Sequence, residues 1–221
     1  MDFNEFIASL NEKDMRNYLQ YSPIRGIQIF KIIFNALSKK NENVSYSDVN
    51  AFVKYDKALK DILYTYIGTL EDIIRKHIFE HFNLKNDIKY KKRYENCCEL
   101  KDIIIKMDNK NDDVTELYVR WSLMMKETII FLDKYDKDAF DLDTLENTRI
   151  LRNKVMHHST LIFDCYANST KSDTQNLIQS LINILPDNYV GLAKKINKIT
   201  ENTRKNIKKV YECFLLDLFM E

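Results

Sequence analysis

Residues 150–164 read ILRNKVMHHSTLIFD. Within seven of these residues stand Arg152, Asn153, His157 and His158, with apolar residues on both sides. The chain has only four histidines, and two of them are adjacent here. The stretch is expected to close a helix that starts near Leu142. On that helix Asn153 and His157 are one turn apart and share a face. Arg152 lies about 140° round from His157 at 100° per residue, so one ideal helix splays the two. A fraying helix end would narrow the gap. A second copy of the same helix across a two-fold axis would close it, giving a composite site with two arginines and two histidines.

The rest of the chain sets the context. It has 221 residues, of which 45% are apolar and 30% charged, enough to bury a sizeable core. Three glycines and two prolines leave little material for hairpin turns or phosphate-cradling glycine loops. A largely helical protein follows from composition alone. The net charge of +1 gives no overall field for nucleic acid, so any RNA contact must come from a local patch. The four cysteines, Cys97, Cys98, Cys165 and Cys213, form no C-x-x-C pair and are expected as free thiols in a reducing cytoplasm. No signal peptide is evident in MDFNEFIASLNEKDM, and no window of about 18 apolar residues suggests a membrane span. There is no internal repeat and no low-complexity tract.

A single helical domain is expected over 1–221, with 1–45 as an N-terminal helical extension and 46–221 as the bundle. In the extension, Asn11 is expected to cap a short helix over 11–20 that Pro23 and Gly26 interrupt. A second helix carries Ile27, Phe30, Ile33, Phe34 and Leu37 on one stripe. Residues 47–83 form one long helix or two stacked ones, with Ile67, Leu70, Ile74 and Ile78 facing inward. A short helix over ELKDIIIKM and a longer one over 113–135 follow. The acidic run from Asp133 to Glu146 then leads to the motif helix as a solvated loop. After a capping loop, NSTKSDTQ, the segment NLIQSLINIL forms a helix ended by Pro186. Residues 190–219 form a long amphipathic helix with Leu192, Ile196, Ile199, Ile207, Val210, Phe214 and Leu218 on its seam.

The motif residues suit RNA cleavage without a metal or other cofactor. A histidine titrating near neutrality can take the proton of a ribose 2′-hydroxyl, and a second can protonate the leaving 5′-oxygen. Arginine forks onto the phosphate and stabilises the charge that develops there. The products would carry 2′,3′-cyclic phosphate and 5′-hydroxyl ends. The bare pattern is weak, since Arg75 and His81 also fit R-x(5)-H. A metal site is not expected. The two histidines point to different faces, and no carboxylate stands four residues from His157.

LRNKVMHHSTL resembles the signature of the HEPN superfamily, and more closely that of its Abi branch, the bacterial abortive-infection proteins. Members there tend to show L-R-N-x-x-x-H-H-x-R-L near a helix end. The upstream TLEDIIRKHI, with Glu71 and Arg75, resembles the E-x-x-x-R helix that precedes the motif in that branch, at a similar distance of some eighty residues. The resemblance covers roughly residues 47–165. It implies an all-α fold, an antiparallel HEPN-type helical bundle with additional N- and C-terminal helices here. It also implies a homodimer joined through the motif helix, and metal-independent endoribonuclease activity in phage defence. Arg152 and His157 would carry catalysis, with Asn153 as polar companion and His158 as a second catalytic or a structural group. Glu71 and Arg75 would support the site. Thr160 stands where the branch often has an arginine. Ser159 and Thr160 replace the tyrosine of nucleotidyltransferase-controlled HEPN toxins, which makes that control unexpected here.

Simpler readings stay open beside this one. Arg152 and His157 can be helix-end capping groups, and Glu71 with Arg75 a surface i,i+4 pair. Two basic patches can contact RNA or be solvated faces. One is Lys89, Lys91, Lys92 and Arg93, with tyrosines between. The other is Lys194, Lys198, Arg204, Lys205 and Lys208 of the last helix, with Glu201 as the one acid between Lys194 and Lys208. The alternatives to a nuclease are a non-catalytic protein holding a structured or noncoding RNA, and a helical interaction module. A toxic nuclease would also need a regulatory protein or RNA to keep it silent.

Overall fold

The computed structural model describes residues 1–81, 125–156, 160–163, 171–189 and 191–218. All regular structure among these residues is helical, in agreement with the all-α expectation. No helix there is long and apolar enough to cross a membrane.

A short helix that the sequence pattern did not suggest, α1 (Phe3–Ala8), begins the chain. Its start is set by a reciprocal cap. Asp2 accepts the amides of Asn4 and Glu5 at 2.7 and 2.9 Å, and Glu5 accepts the amide of Asp2 at 2.8 Å. Asn11 caps α2 (Glu12–Arg25) by accepting the Asp14 amide at 2.9 Å. This helix runs past Pro23, where 11–20 was expected. Proline removes one donor near the helix end, and the Gly26 amide still reaches the Ser22 carbonyl at 2.9 Å. Gly26 ends the helix at φ +88°, a conformation side chains resist, although a Cβ there would meet nothing within 4 Å. α3 (Ile27–Ser38) then buries Phe30, Ile33, Phe34 and Leu37. Ile27, expected on the same stripe, is 54% exposed because it sits at the corner where no element covers it. Phe34 stacks on Phe6 at 4.5 Å between ring centres, so the N-terminal helices share the core of the rest.

The spine is α4 (Tyr46–His81), 36 unbroken residues and about 54 Å at 1.5 Å per residue. Ser45 and Asp48 exchange backbone and side-chain hydrogen bonds at its start. Val49, Phe52, Leu59, Leu63, Ile67, Leu70, Ile74 and Ile78 recur at helical spacing and are buried. Against this spine pack α5 (Met125–Tyr135) and α6 (Leu142–Met156); α7 (Lys171–Ile184) lies on α6, and α8 (Gly191–Arg204) lies on α4. The helix after the motif thus starts five residues before Asn176, with Asp173 in its first turn.

The acidic run is mostly not a loop. Its two ends belong to α5 and α6, and Asp141 caps α6 by accepting the Thr144 hydroxyl at 2.6 Å and the Asp143 amide at 3.1 Å. The expected long terminal helix also stops early, at Arg204. A 3-10 turn, Lys209–Phe214, follows, and the tail folds back to bury Tyr211, Leu215, Leu216 and Leu218 while Val210 stays exposed. The reversal satisfies groups that a straight helix would leave apart. The Tyr55 hydroxyl accepts the Leu216 amide at 3.0 Å and meets Thr200 at 2.9 Å, and Asn197 donates to the Leu218 carbonyl at 3.2 Å.

Candidate functional site

On α6 the buried positions are Leu145, Thr148, Leu151 and Val155. That inward stripe leaves Arg152 and Asn153 half-buried beside it. Arg152 reaches across to α4, where its Nε donates to Glu71 Oε1 at 3.1 Å. The other Glu71 oxygen accepts Arg75 Nη2 at 3.2 Å. The side chains are 12% (Glu71), 15% (Arg75) and 25% (Arg152) exposed. Glu71 and Arg75 are therefore not a solvated surface pair. They form a largely dry cluster with a motif residue 81 positions away, packed against Met125 and Thr128 of α5, with the exposed Asp72 at its edge 3.5 Å from Arg75. Among the described residues, the terminal nitrogens of Arg152 have no hydrogen-bond or ion-pair partner. Glu71 thus fixes the stem of the guanidinium and leaves its fork available for an anion.

His157 and His158 lie outside the described residues. The chain beyond them returns at 160–163, all four residues buried. Two hydrogen bonds hold it there. The Leu161 amide donates to Asp56 Oδ1 at 2.7 Å, and the Leu161 carbonyl accepts the Thr174 hydroxyl. Asp56 is itself paired with Lys60 at 2.5 Å, both nearly buried on α4. Thr160 is inside the protein, so this position offers no contact to RNA. No local pattern marks these anchors, since Asp56 and Lys60 have the spacing of any surface i,i+4 pair.

A second unanticipated group is His77. Its Nε2 lies 2.9 Å from Asp136 Oδ2, and its ring meets Phe140 edge-on at 5.3 Å. It stands six residues after Glu71, about 240° round α4, and so belongs to a different face from the arginine cluster. The signal was present in part, as a histidine within TLEDIIRKHI and a carboxylate in the acidic run. His81 ends α4, while Arg75, its partner in the decoy pattern, is held by Glu71.

The basic patches fare unequally. Lys89, Lys91, Lys92 and Arg93 lie outside the described residues. On α8, Lys194 and Lys198 are exposed, as is Lys205 just beyond it. Arg204 is surrounded by Glu201, Glu212 and Asp217, the last two brought in by the folded-back tail. Lys208 turns toward the Asn43 carbonyl and Asp48. The exposed cationic face is therefore smaller than a straight helix would present. Beside it, an open groove of about 470 Å³ runs between α4 and α8, with Ser47, Asn50, Lys54, Asn202 and Asn206 in its walls. Among the described residues, no three His, Cys, Asp or Glu side chains converge as a metal site, and Cys213 is a free, exposed thiol. Comparison with family models, curated proteins and solved structures finds no match.

Proposed function

We propose that this protein is a metal-independent endoribonuclease of the kind its motif resembles, HEPN and Abi-like, acting in bacterial phage defence. His157 takes the proton of the ribose 2′-hydroxyl, and His158 or a histidine of a second copy protonates the leaving oxygen. The fork of Arg152 holds the phosphate, and Asn153, one turn before His157, orients it or the imidazole. Glu71 and Arg75 act as positioning residues. The exposed Lys194, Lys198 and Lys205, next to a groove walled by amides and hydroxyls, supply RNA affinity.

The observation that carries this reading is the Arg152–Glu71–Arg75 cluster. The two sequence elements on which the resemblance rests are far apart in the chain, and their charged residues meet in space. The test is cleavage of a mixed RNA pool in EDTA by the wild type and by His157→Ala, with analysis of the product ends. Cyclic phosphate ends made only by the wild type are expected. If neither form cuts while both bind RNA, the chain is an RNA-binding protein and the nuclease reading is abandoned.

A further inference from the structure

At the corner where α2 turns into α3, a cavity of about 370 Å³ opens against one face of α4. Its walls bring together Arg25, Lys57 and Lys60, with Ile24, Ile29 and Val53 as an apolar side. Arg25 has no hydrogen-bond or ion-pair partner among the described residues. Lys57 pairs with the exposed Asp61, an interaction that water screens. Burial, and then the positive charges of Arg25 and Lys60, hold Lys57 below the ordinary lysine value. Three cations facing one cavity repel one another, and an anion would relieve that repulsion. The one acid in the wall is Asp56, already bonded to Lys60 and to the Leu161 amide. With Asp56 in the wall and Asp61 beside Lys57, the cations still outnumber the acids, a positive balance that favours an anion such as a phosphate monoester. The volume lies within the range of small-ligand pockets, and the apolar wall suits a base or sugar face.

We propose that this cavity binds a small phosphate-bearing ligand of nucleoside-monophosphate size, and that its occupancy tightens the hold on residues 160–163. The route is short. A phosphate on Arg25 and Lys60 shares the ammonium that pairs with Asp56, so the Asp56 carboxylate leans more on its other donor, the Leu161 amide of the segment that follows the motif. The consequence for cleavage rests on the ribonuclease reading, whereas the binding does not.

The test reads thermal unfolding of the full chain in phosphate-free and sulfate-free buffer, with 5′-AMP as the probe. A rise in Tm of about 2–4 °C at saturating AMP is expected, together with slower hydrogen exchange at the Leu161 amide. Arg25→Gln with Lys57→Gln, both at half-buried positions where the amide keeps much of the side-chain volume, should fold and lose the shift, and Lys194→Ala with Lys198→Ala should keep it. No shift with AMP, or a shift that survives in the Arg25/Lys57 variant, overturns the site. A shift produced by a single-stranded oligonucleotide without terminal phosphates, and not by AMP, overturns the small-ligand assignment. A shift with unchanged exchange at Leu161 overturns the coupling. None of these readouts depends on RNA cleavage, so failure of this inference and failure of the nuclease reading are separate results.

Discussion

Both oxygens of Glu71 are held by guanidinium groups, one from its own helix and one from α6. Removing that carboxylate leaves two cations facing each other with little water between them, with the exposed Asp72 still beside Arg75. Glu71→Ala is expected to cost about 3 kcal/mol in urea unfolding. Glu71→Gln keeps the volume and one acceptor, so the fold should survive while the aim of Arg152 loosens. Its kcat for RNA should fall about tenfold or more with KM little changed, the pattern of a residue acting through another. A merely structural role would instead leave the folded fraction fully active. Asp56 makes the second residue-scale case. Asp56→Ala strands the Lys60 ammonium and the Leu161 amide in the core, for an expected loss of about 3–5 kcal/mol, and Asp56→Asn should lose less because its carbonyl can still accept from Leu161. The role of Asp56 has no local signal, and that of Glu71 enters only through the family resemblance. Both residues have the i,i+4 spacing of ordinary surface pairs, and what distinguishes them is a partner some eighty or a hundred residues away.

Helix interiors were easier to read than helix ends. The apolar spacing along α4 and the Asn11 cap are purely local signals, and the structure follows them. The end of α2 depends on a proline whose missing donor falls in the last turn, and the end of α8 depends on Tyr55 in a different element. That tyrosine allows a contrast. Tyr55→Phe removes partners from Thr200 and the Leu216 amide, both buried, and is expected to cost about 1–3 kcal/mol. The Tyr46 hydroxyl is buried with no hydrogen-bond partner among the described residues, so Tyr46→Phe should be neutral or slightly stabilising in the same urea experiment. Burial first, then the charge of Asp14, push Tyr46 up to about 12. The folded state therefore favours the neutral phenol. Its contribution is intact below about pH 10, the ordinary tyrosine value, and is lost as the pH rises through about 12. In an ultraviolet titration the late tyrosinate step should shrink by one residue in Tyr46→Phe. The motif helix responds in the opposite range. The Thr144 hydroxyl and nearby amides hold the exposed Asp141 carboxyl below its usual value. Its cap is formed above the usual carboxylate range and fails as the pH falls through the lowered value. Asp141→Ala should lower Tm at neutral pH, and the difference from wild type should vanish in strong acid, as followed by circular dichroism.

At the scale of the molecule, fold class was legible because three glycines and two prolines cannot turn a many-stranded sheet. How the helices are arranged was not, since pairing α6 with α4 takes long-range partners that no local period encodes. The arrangement bears directly on oligomeric state. Nε of Arg152 is turned toward Glu71 of its own chain, and on one helix the arginine and His157 are splayed by about 140°. A site that needs both on one phosphate is most simply completed by a second copy. By helical spacing Ile150 lies on the same stripe as Asn153, and it is 38% exposed on α6, with Ile130 of α5 at 37%. These apolar side chains suit a contact between two motif helices. Sedimentation at micromolar concentration should show a dimer, and Ile150→Glu should dissociate it and abolish cleavage together, because a charge on that stripe would have to be buried. Ile27→Glu, at the exposed corner before α3, should leave both unchanged. A wild-type monomer that still cuts RNA would sink the two-copy site, and would require the helix end after Met156 to bring His157 round to the Arg152 fork within one chain.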